Sequence, residues 1–240
     1  FGQSNSANTV SELSSKLIPK NLYQYDWKSR SCYEYKEPLL GATGNSGNII
    51  TYTAVKIAEK VSSPVIVVPF GVGGSSILRW AYGDLANFKN QIVLTNLKKD
   101  GLYPNVFYWH QGESDSSEKI INESIYSSKY LKHPKTGRLT KKQYANALVK
   151  VVDSTLSYFP KATFGIAIAS ICENSSSPRV TAAQFSVAST LKKTFISSNT
   201  DRFKEKYHRP DGCHFSPYTA QTIGEEYLRS YQKAITILDK

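Results

Sequence analysis

Short runs of apolar residues, each of strand length, recur along this chain, and glycine or polar residues follow several of them at once. A strand that is apolar throughout is typical of a parallel sheet, because both faces of such a sheet are buried. The longest run continues directly into the glycine-rich segment Gly71–Ser75. The pattern therefore predicts a sheet of buried, mostly parallel strands. The runs are Val65–Phe70, Val106–Trp109, Thr163–Ile168 and the weaker Thr194–Ser197.

Segments with the apolar spacing of amphipathic helices separate the predicted strands. In the first of them, Ile50, Ala54 and Ile57 lie three or four residues apart, which places them on one side of a helix. Alternating strands and helices predict an α/β fold, a three-layer α/β/α sandwich with a central, mostly parallel sheet. A chain of 240 residues suits a single domain spanning 1–240. The predicted helices are Ile49–Val61, Leu139–Phe159, Val180–Leu191 and Thr219–Leu238.

Two long regions lack either pattern and are predicted to be irregular. Lys20–Asn48 is the first. The second, about residues 116–138, is polar and is interpreted as an insertion beside the site, either a lid or a surface elaboration. A further strand is expected upstream of residue 1, because a strand should lead into Gly2 and only Phe1 precedes it.

Three loops are expected to meet at one edge of the sheet. In parallel sheets, functional loops leave the carboxyl ends of the strands. The segments Gly71–Ser75, Gln111–Asp115 and Ser170–Asn174 each follow a predicted strand. This edge is the expected place for a binding or catalytic site.

Two short segments at opposite ends of the chain together contain the side chains of a serine hydrolase. A hydroxyl becomes a good nucleophile when an imidazole takes its proton, and a carboxylate keeps that imidazole in the right tautomer. Ser4 is the candidate nucleophile, although it can also be the N-cap of the first helix. His214 is the candidate base, and Asp211, three residues earlier, is its orienting carboxylate. A turn-forming role for Asp211 is compatible with this one.

The other three histidines are expected to have structural or surface roles. His110 lies at a strand end and is expected to be packed and hydrogen-bonded. His133 and His208 lie in charged loops and are expected at the surface. His214 is therefore the preferred base.

Four segments, taken together, carry a resemblance to a known family. They are Gly2-Gln3-Ser4-Asn5, Gly73–Ile77 with Trp80, Trp109–Asp115 and Asp211–Phe215. In order and spacing they resemble the SGNH-type hydrolases, specifically the branch with sialate O-acetylesterases and related carbohydrate acetylesterases. The resemblance implies a flavodoxin-like SGNH hydrolase fold, a carbohydrate O-acetyl ester as substrate, and neither a metal nor an organic cofactor.

The resemblance also implies an oxyanion hole, a set of N–H donors for the negative charge of the tetrahedral intermediate. The expected donors are the backbone N–H of Ser4, the backbone N–H of Gly74 and the side-chain amide of Gln111. Most SGNH relatives use an asparagine where this branch uses the glutamine. The alternative for Gly73 and Gly74 is a plain tight turn after a strand.

Glu113 is a candidate supporting residue with several alternatives open. It can hydrogen-bond the loop of the nucleophile, or share in orienting the catalytic imidazole. Glu113 and Asp115 can also form a general acid–base pair. Together with His110 they can imitate a metal site, which is disfavoured. Arg179 and Gln184 can contact a substrate or merely cap loops.

The formal net charge of +11 indicates a basic surface. It can attract an acidic glycan, a membrane surface or nucleic acid, but the lysines are dispersed, which favours a solvated surface. The sequence shows no nucleic-acid-binding motif and no apolar run long enough to span a bilayer. The oligomeric state stays open.

The three cysteines match neither a metal-site spacing nor a small disulfide scaffold. They are Cys32, Cys172 and Cys213. One disulfide at Cys213 is compatible with an exported protein, and free thiols are equally compatible. The expected location is periplasmic or secreted.

These expectations lead to a serine esterase that removes O-acetyl groups from carbohydrates such as sialic acid or peptidoglycan through an acetyl-enzyme intermediate. The same residues fit an O-acetyltransferase that passes the acetyl group to a glycan hydroxyl. A non-catalytic glycan-binding module on the same fold is the third alternative. The intact set of Ser4, Asp211 and His214 argues against that module.

Overall fold

The chain folds as alternating strands and helices, seen in a computed structural model. The predicted polar insertion, about residues 116–138, lies almost wholly outside the described residues, as does His133. The described residues are 1–82, 85–116, 139–173 and 175–238.

Strands in the described part of the chain form two three-stranded sheets. They are β1 Leu22–Asp26, β2 Ser31–Glu34, β3 Val65–Val67, β4 Val106–Trp109, β5 Thr163–Ile168 and β6 Thr194–Asn199. The strand orders are β2-β1-β3 and β4-β5-β6. Only the β1–β2 pairing among these is antiparallel. The sheets are therefore mostly parallel, which confirms the predicted fold class.

The first three residues of the chain lie between the two sheets. The N–H of Val72, beyond β3, donates to the carbonyl of Gly2 (2.9 Å), and the N–H of His110, after β4, donates to the carbonyl of Phe1 (2.9 Å). Gly2 has a φ of +129°, and a Cβ there would lie 2.2 Å from the His110 carbonyl oxygen, so glycine is required. Ser4 thus follows directly from the junction of both sheets. The expectation of a further strand upstream of residue 1 stays a prediction, because no described residue tests it.

Helices cover both faces of the sheets. They are α1 Ile49–Ala58, α2 Ile77–Ala81, α3 Leu85–Lys99, α4 Lys141–Tyr158, α5 Pro178–Thr190 and α6 Pro217–Leu238. α1 and α6 pack together on one side, and α4 contacts α2, α3 and α5 on the other. Across the described ranges, we find no helix with the length and apolar character needed to cross a membrane.

Neighbouring side chains of β4 reach the cores on opposite faces, as expected for a buried strand. Trp109 is fully buried in a cluster with Trp80 and Phe164 on the α2–α5 side. Tyr108 packs with the fully buried Phe215 on the α1–α6 side. This arrangement is the predicted three-layer sandwich.

The prediction that Lys20–Asn48 is irregular is wrong, because β1 and β2 lie within it. A buried polar side chain, Gln24, interrupts the apolar pattern of β1, and its amide donates to the backbone carbonyls of Glu34 (3.2 Å) and Lys36 (3.1 Å). α2 and α3 are also absent from the predicted helices. In α3 the buried Asn90 lies on the apolar face and breaks its periodicity.

Candidate active site

Ser4 begins a single turn of 3-10 helix, Ser4–Ser6, at the junction of the two sheets. The N-cap of this turn is Gln3, so Ser4 does not take the alternative role of N-cap. Ser4 is half-buried, and its carbonyl accepts from the Thr9 hydroxyl (2.7 Å). Within the described residues, neither the N–H nor the Oγ of Ser4 has a hydrogen-bond partner, so both are available to a ligand.

Asp211 and His214 form the predicted contact within one turn. Asp211 Oδ2 lies 2.6 Å from His214 Nδ1. Its other oxygen, Oδ1, accepts from the backbone N–H groups of His214 (2.7 Å) and Cys213 (2.9 Å). Partial burial would raise the pKa of Asp211, but these hydrogen bonds outweigh it and lower the pKa below its ordinary value. The carboxylate is therefore ionised and aimed at one ring nitrogen.

Residues beside Ser4 and His214 connect the two ends of the chain. The Asn5 side-chain amide donates to the carbonyl of Cys213 (3.2 Å), which links the residue after Ser4 to the residue before His214. Ser4 Oγ and His214 Nε2 form no hydrogen bond in the described residues. Such bonds are commonly long without substrate and tighten when it binds.

The loop after β3 lies against Ser4. An ideal Cβ at Gly73 would be 3.9 Å from the Ser4 Cβ. Gly74 has a φ of +66° and is exposed, and no group in the described ranges accepts from its N–H. Asp115 holds the loop's far end through Ser76 Oγ (2.6 Å) and the N–H of Ile77 (2.8 Å). The loop can thus present the Gly74 N–H near Ser4, the candidate nucleophile.

Gln111 is fully buried, and the structure gives its side-chain amide protein acceptors. Nε2 lies 2.6 Å from Asp115 Oδ2 and 3.1 Å from the Ser75 carbonyl, with a longer contact of 3.3 Å to Gln3 Oε1. Its Oε1 accepts from the Tyr144 hydroxyl (2.8 Å). In this arrangement Gln111 holds loops together and does not offer the free amide hydrogen expected of an oxyanion donor.

These contacts confirm that loops following β3, β4 and β5 meet at one edge. Gln111 reaches the first loop at Ser75. Gly112, with a φ of +151°, lies so close to the third loop that a Cβ would be 1.9 Å from the Ala169 carbonyl oxygen. Gln184 is buried and binds both the N–H of Ala169 (2.9 Å) and the Gln111 carbonyl (2.7 Å), so it braces these loops. Arg179 is exposed on α5.

Glu113 supports the loop of the candidate nucleophile. Its buried carboxylate accepts from the Asn5 amide (2.7 Å) and lies 3.3 Å from His110 Nε2. Burial raises the pKa of Glu113, but His110 and the Asn5 amide outweigh it and lower the pKa to about 2. His110 is buried and meets the Tyr227 hydroxyl through Nδ1 (2.9 Å), which confirms that it is packed and hydrogen-bonded. Of the alternatives for Glu113, the contacts favour bracing through Asn5.

The two carboxylates of the Gln111–Asp115 loop have different partners. Glu113 binds Asn5, whereas Asp115 binds Ser76, Ile77 and Gln111, as given above. An acid–base pair facing one shared substrate is therefore not formed. Among the described side chains, no three histidines, cysteines or carboxylates are grouped so that they could hold a metal ion.

Two further features hold the His214 turn: a disulfide at Cys213, which the sequence left open, and a buried arginine, which it did not indicate. Cys172 and Cys213 form a disulfide that joins the loop after β5 to this turn. Arg209, two residues before Asp211, is fully buried and donates to the Cys213 carbonyl (2.5 Å). Nothing in the sequence distinguishes this arginine from the surrounding basic residues. Its position next to the Asp-x-x-His segment is the one signal that places it near the turn. His208 is half-buried and bonds Thr219 through Nδ1 (2.8 Å), so its predicted surface position is only partly correct.

Comparison with known proteins agrees with this architecture. Residues 1–233 match the family model described as carbohydrate esterase, sialic acid-specific acetylesterase. A search of curated proteins gave no significant match. Among solved structures, a protein from Arabidopsis thaliana is similar, with a TM-score of 0.71 and 16% identity over 97% of this chain and 95% of that one.

Two carbohydrate esterases are also similar in structure. A family two carbohydrate esterase from Clostridium thermocellum, in complex with cellohexaose, has a TM-score of 0.54 and 12% identity over 98% of this chain and 63% of that one. A family two enzyme with a carbohydrate binding domain, from Corynascus thermopiles, has a TM-score of 0.55 and 14% identity over 93% and 69%. At these identities the likenesses show the fold alone.

Proposed function

The chain belongs to the carbohydrate esterase family of sialic acid-specific acetylesterases, and we propose that it is a serine esterase that removes O-acetyl groups from carbohydrates. The observation that carries the proposal is the local pair of Asp211 and His214, 2.6 Å apart, tied through Asn5 to the turn that starts at Ser4. Nucleophilic acyl transfer needs an oriented imidazole and a free hydroxyl, and the Asn5 link joins the two segments that supply them.

In the proposed reaction, Ser4 Oγ attacks the acetyl carbonyl carbon while His214 Nε2 takes the hydroxyl proton. Asp211 keeps Nδ1 protonated and stabilises the imidazolium. The negative charge that develops on the carbonyl oxygen is met by the backbone N–H groups of Ser4 and Gly74. One such donor typically lowers the barrier by about 2.7–4 kcal/mol.

The tetrahedral intermediate then collapses. Its C–O bond to the sugar breaks, and the sugar oxygen leaves with the proton from the His214 imidazolium. A water molecule attacks the acetyl-enzyme with the same imidazole as base, which releases acetate and restores the Ser4 hydroxyl. We assign Gln111 and Glu113 to positioning, because their polar atoms bind neighbouring loops.

Water access favours hydrolysis over acetyl transfer. The side chains of His214 and Asp211 are 28% and 57% exposed, so solvent reaches the base directly. A transferase needs a site that excludes water. Acetate release measured with and without an acceptor glycan separates the two: an acceptor that suppresses acetate and gains acetyl groups would indicate a transferase.

The proposed substrate is an acidic acetylated sugar in an oxidising compartment, the periplasm or the cell exterior. The net charge of +11 supports an anionic partner. The Cys172–Cys213 disulfide supports an oxidising environment, because such bonds are rare in reducing ones.

Ser4→Ala tests the proposal. We expect kcat/KM for a small acetyl ester to fall on the order of 10⁴-fold or more, since the nucleophile is removed. Ser6→Ala is the matched control, because the Ser6 hydroxyl lies in the same turn but only donates to the Gln3 carbonyl (2.7 Å). A Ser4→Ala protein that keeps its fold and hydrolyses the ester within tenfold of the wild-type rate would refute the assignment.

A further inference from the structure

Arg209 is a buried cation whose hydrogen bonds go to backbone carbonyls. Its Nε donates to Phe203 (2.8 Å), Nη2 to Thr200 (3.2 Å) and Nη1 to Cys213 (2.5 Å). No carboxylate lies within ion-pair distance of it among the described residues. A buried guanidinium costs free energy unless its donors are satisfied, and its planar fork suits several acceptors at fixed directions. This arrangement therefore constrains the backbone that supplies the carbonyls.

One of those carbonyls belongs to the peptide group that carries the candidate base. The Cys213 oxygen accepts from both Arg209 and Asn5, and the N–H of the same peptide group, on His214, donates to Asp211 (2.7 Å). A peptide group is planar. Holding its oxygen at one end and its N–H at the other fixes the plane from which the imidazole projects.

The guanidinium also contacts the residue on the other side of His214. Its central carbon lies 4.0 Å from the centre of the Phe215 ring, which is itself fully buried. A cation over an aromatic face is attracted to it, and more strongly when both are desolvated. Arg209 thus contacts both neighbours of His214 and makes no hydrogen bond to the imidazole itself.

We propose that Arg209 is a positioning residue that sets the peptide plane of His214, and so holds the imidazole in line with Ser4 and Asp211. The inference rests on the proposed function, because it takes His214 as the base. Arg209 does not touch the substrate in this role. Its loss should therefore lower kcat and leave KM unchanged, since small misplacements of a reacting group are costly.

Arg209→Lys is the informative variant, because it keeps the positive charge and removes the planar set of N–H donors. An ammonium cannot reach three separate carbonyls in the directions that the guanidinium holds. We expect kcat for a small acetyl ester to fall about 10- to 100-fold with KM within twofold. Arg202→Lys is the matched control, because Arg202 lies exposed nearby, over the Phe203 ring, and pairs with Glu226; its kcat should stay at the wild-type value.

A double-mutant cycle with His214→Ala separates positioning from a general loss of structure. If Arg209 acts through the imidazole, adding Arg209→Lys to His214→Ala should lower the residual activity no further. Each variant is assayed at a temperature at which thermal unfolding shows it fully folded. The same factor of loss in both backgrounds, or a change in KM with kcat intact, would overturn the inference.

The set of variants also distinguishes this inference from the proposed function. Wild-type activity in His214→Ala would refute the proposed function itself. A large loss in His214→Ala with wild-type kcat in Arg209→Lys would refute the positioning role alone.

Discussion

Asp211 uses its two carboxylate oxygens for different purposes. Oδ1 closes the turn by accepting two backbone N–H groups, while Oδ2 faces His214 Nδ1. An asparagine at this position can keep the first role, because its oxygen still accepts. Its NH2 group would then face Nδ1 as a donor and favour the wrong imidazole tautomer.

Asp211→Asn should therefore lower kcat on the order of 10²- to 10⁴-fold while the protein stays folded. The measurement is kcat for a small acetyl ester, together with the thermal unfolding midpoint. Asp26→Asn is the control, because Asp26 also closes an exposed turn, accepting from the N–H of Lys28 through Oδ1 (3.1 Å) and from that of Ser29 through Oδ2 (3.3 Å). Equal kcat in Asp211→Asn and wild type would exclude an orienting role.

The sequence predicts local pairings better than distant ones. Asp211 and His214 are three residues apart, so one turn is enough to bring them together. The sequence does not reveal the partner of Gln111, because Asp115 meets the Gln111 amide only when the loop is folded. Arg209 is one of 30 basic residues, and only its burial distinguishes it.

Among the elements, the loop after β5 and the turn of the candidate base are held together covalently and by hydrogen bonds. Besides the Cys172–Cys213 disulfide, the N–H of Glu173 donates to the Gly212 carbonyl (2.7 Å). The disulfide closes a sequence separation of 41 residues. A closed loop of this size restricts the unfolded chain and stabilises the folded one.

Cys172→Ala should lower the free energy of unfolding by about 2–4 kcal/mol, because the unfolded chain regains its freedom. Urea denaturation without reductant measures the difference. Cys32→Ala is the control, because Cys32 is exposed and unpaired in the described structure. An unfolding free energy for Cys172→Ala equal to that of Cys32→Ala would show that the disulfide contributes no stability.

Elements with a long apolar face are predictable here, whereas a polar residue at a buried position obscures the pattern of two others. β4 and β5 match their predicted bounds, and α4 differs from its prediction by one or two residues at each end. β1 and α3 are not predicted, because the polar residues Gln24 and Asn90 occupy buried positions in them and interrupt the apolar pattern. Burial of the Gln24 amide is tolerated because backbone carbonyls satisfy it, and those partners become known only with the tertiary structure.

At the scale of the whole molecule, Glu113 couples stability to pH. The folded protein holds its pKa at about 2, below the ordinary 4.5, because His110 and Asn5 outweigh burial. Glu113 therefore binds its proton less readily in the folded than in the unfolded state. Its contribution is fully present above about pH 4.5 and is lost as the pH falls toward 2.

Glu113→Gln should flatten the loss of unfolding free energy between pH 4.5 and 2, because this titrating group is gone. The wild type should lose on the order of a few kcal/mol more over this range than the variant. Glu59→Gln is the control, since Glu59 forms an exposed ion pair with Lys56 (3.0 Å). Parallel acid profiles for wild type and Glu113→Gln would contradict the coupling.

Because the first three residues lie between the sheets, the position of Ser4, the proposed nucleophile, depends on both halves of the protein. Gly2 is held by Val72 on one side, and Phe1 by His110 on the other. A shift of one sheet relative to the other would move Ser4 away from the residues that are held by the other sheet. We therefore expect kcat to fall when the contact between the two sheets loosens, before either sheet unfolds.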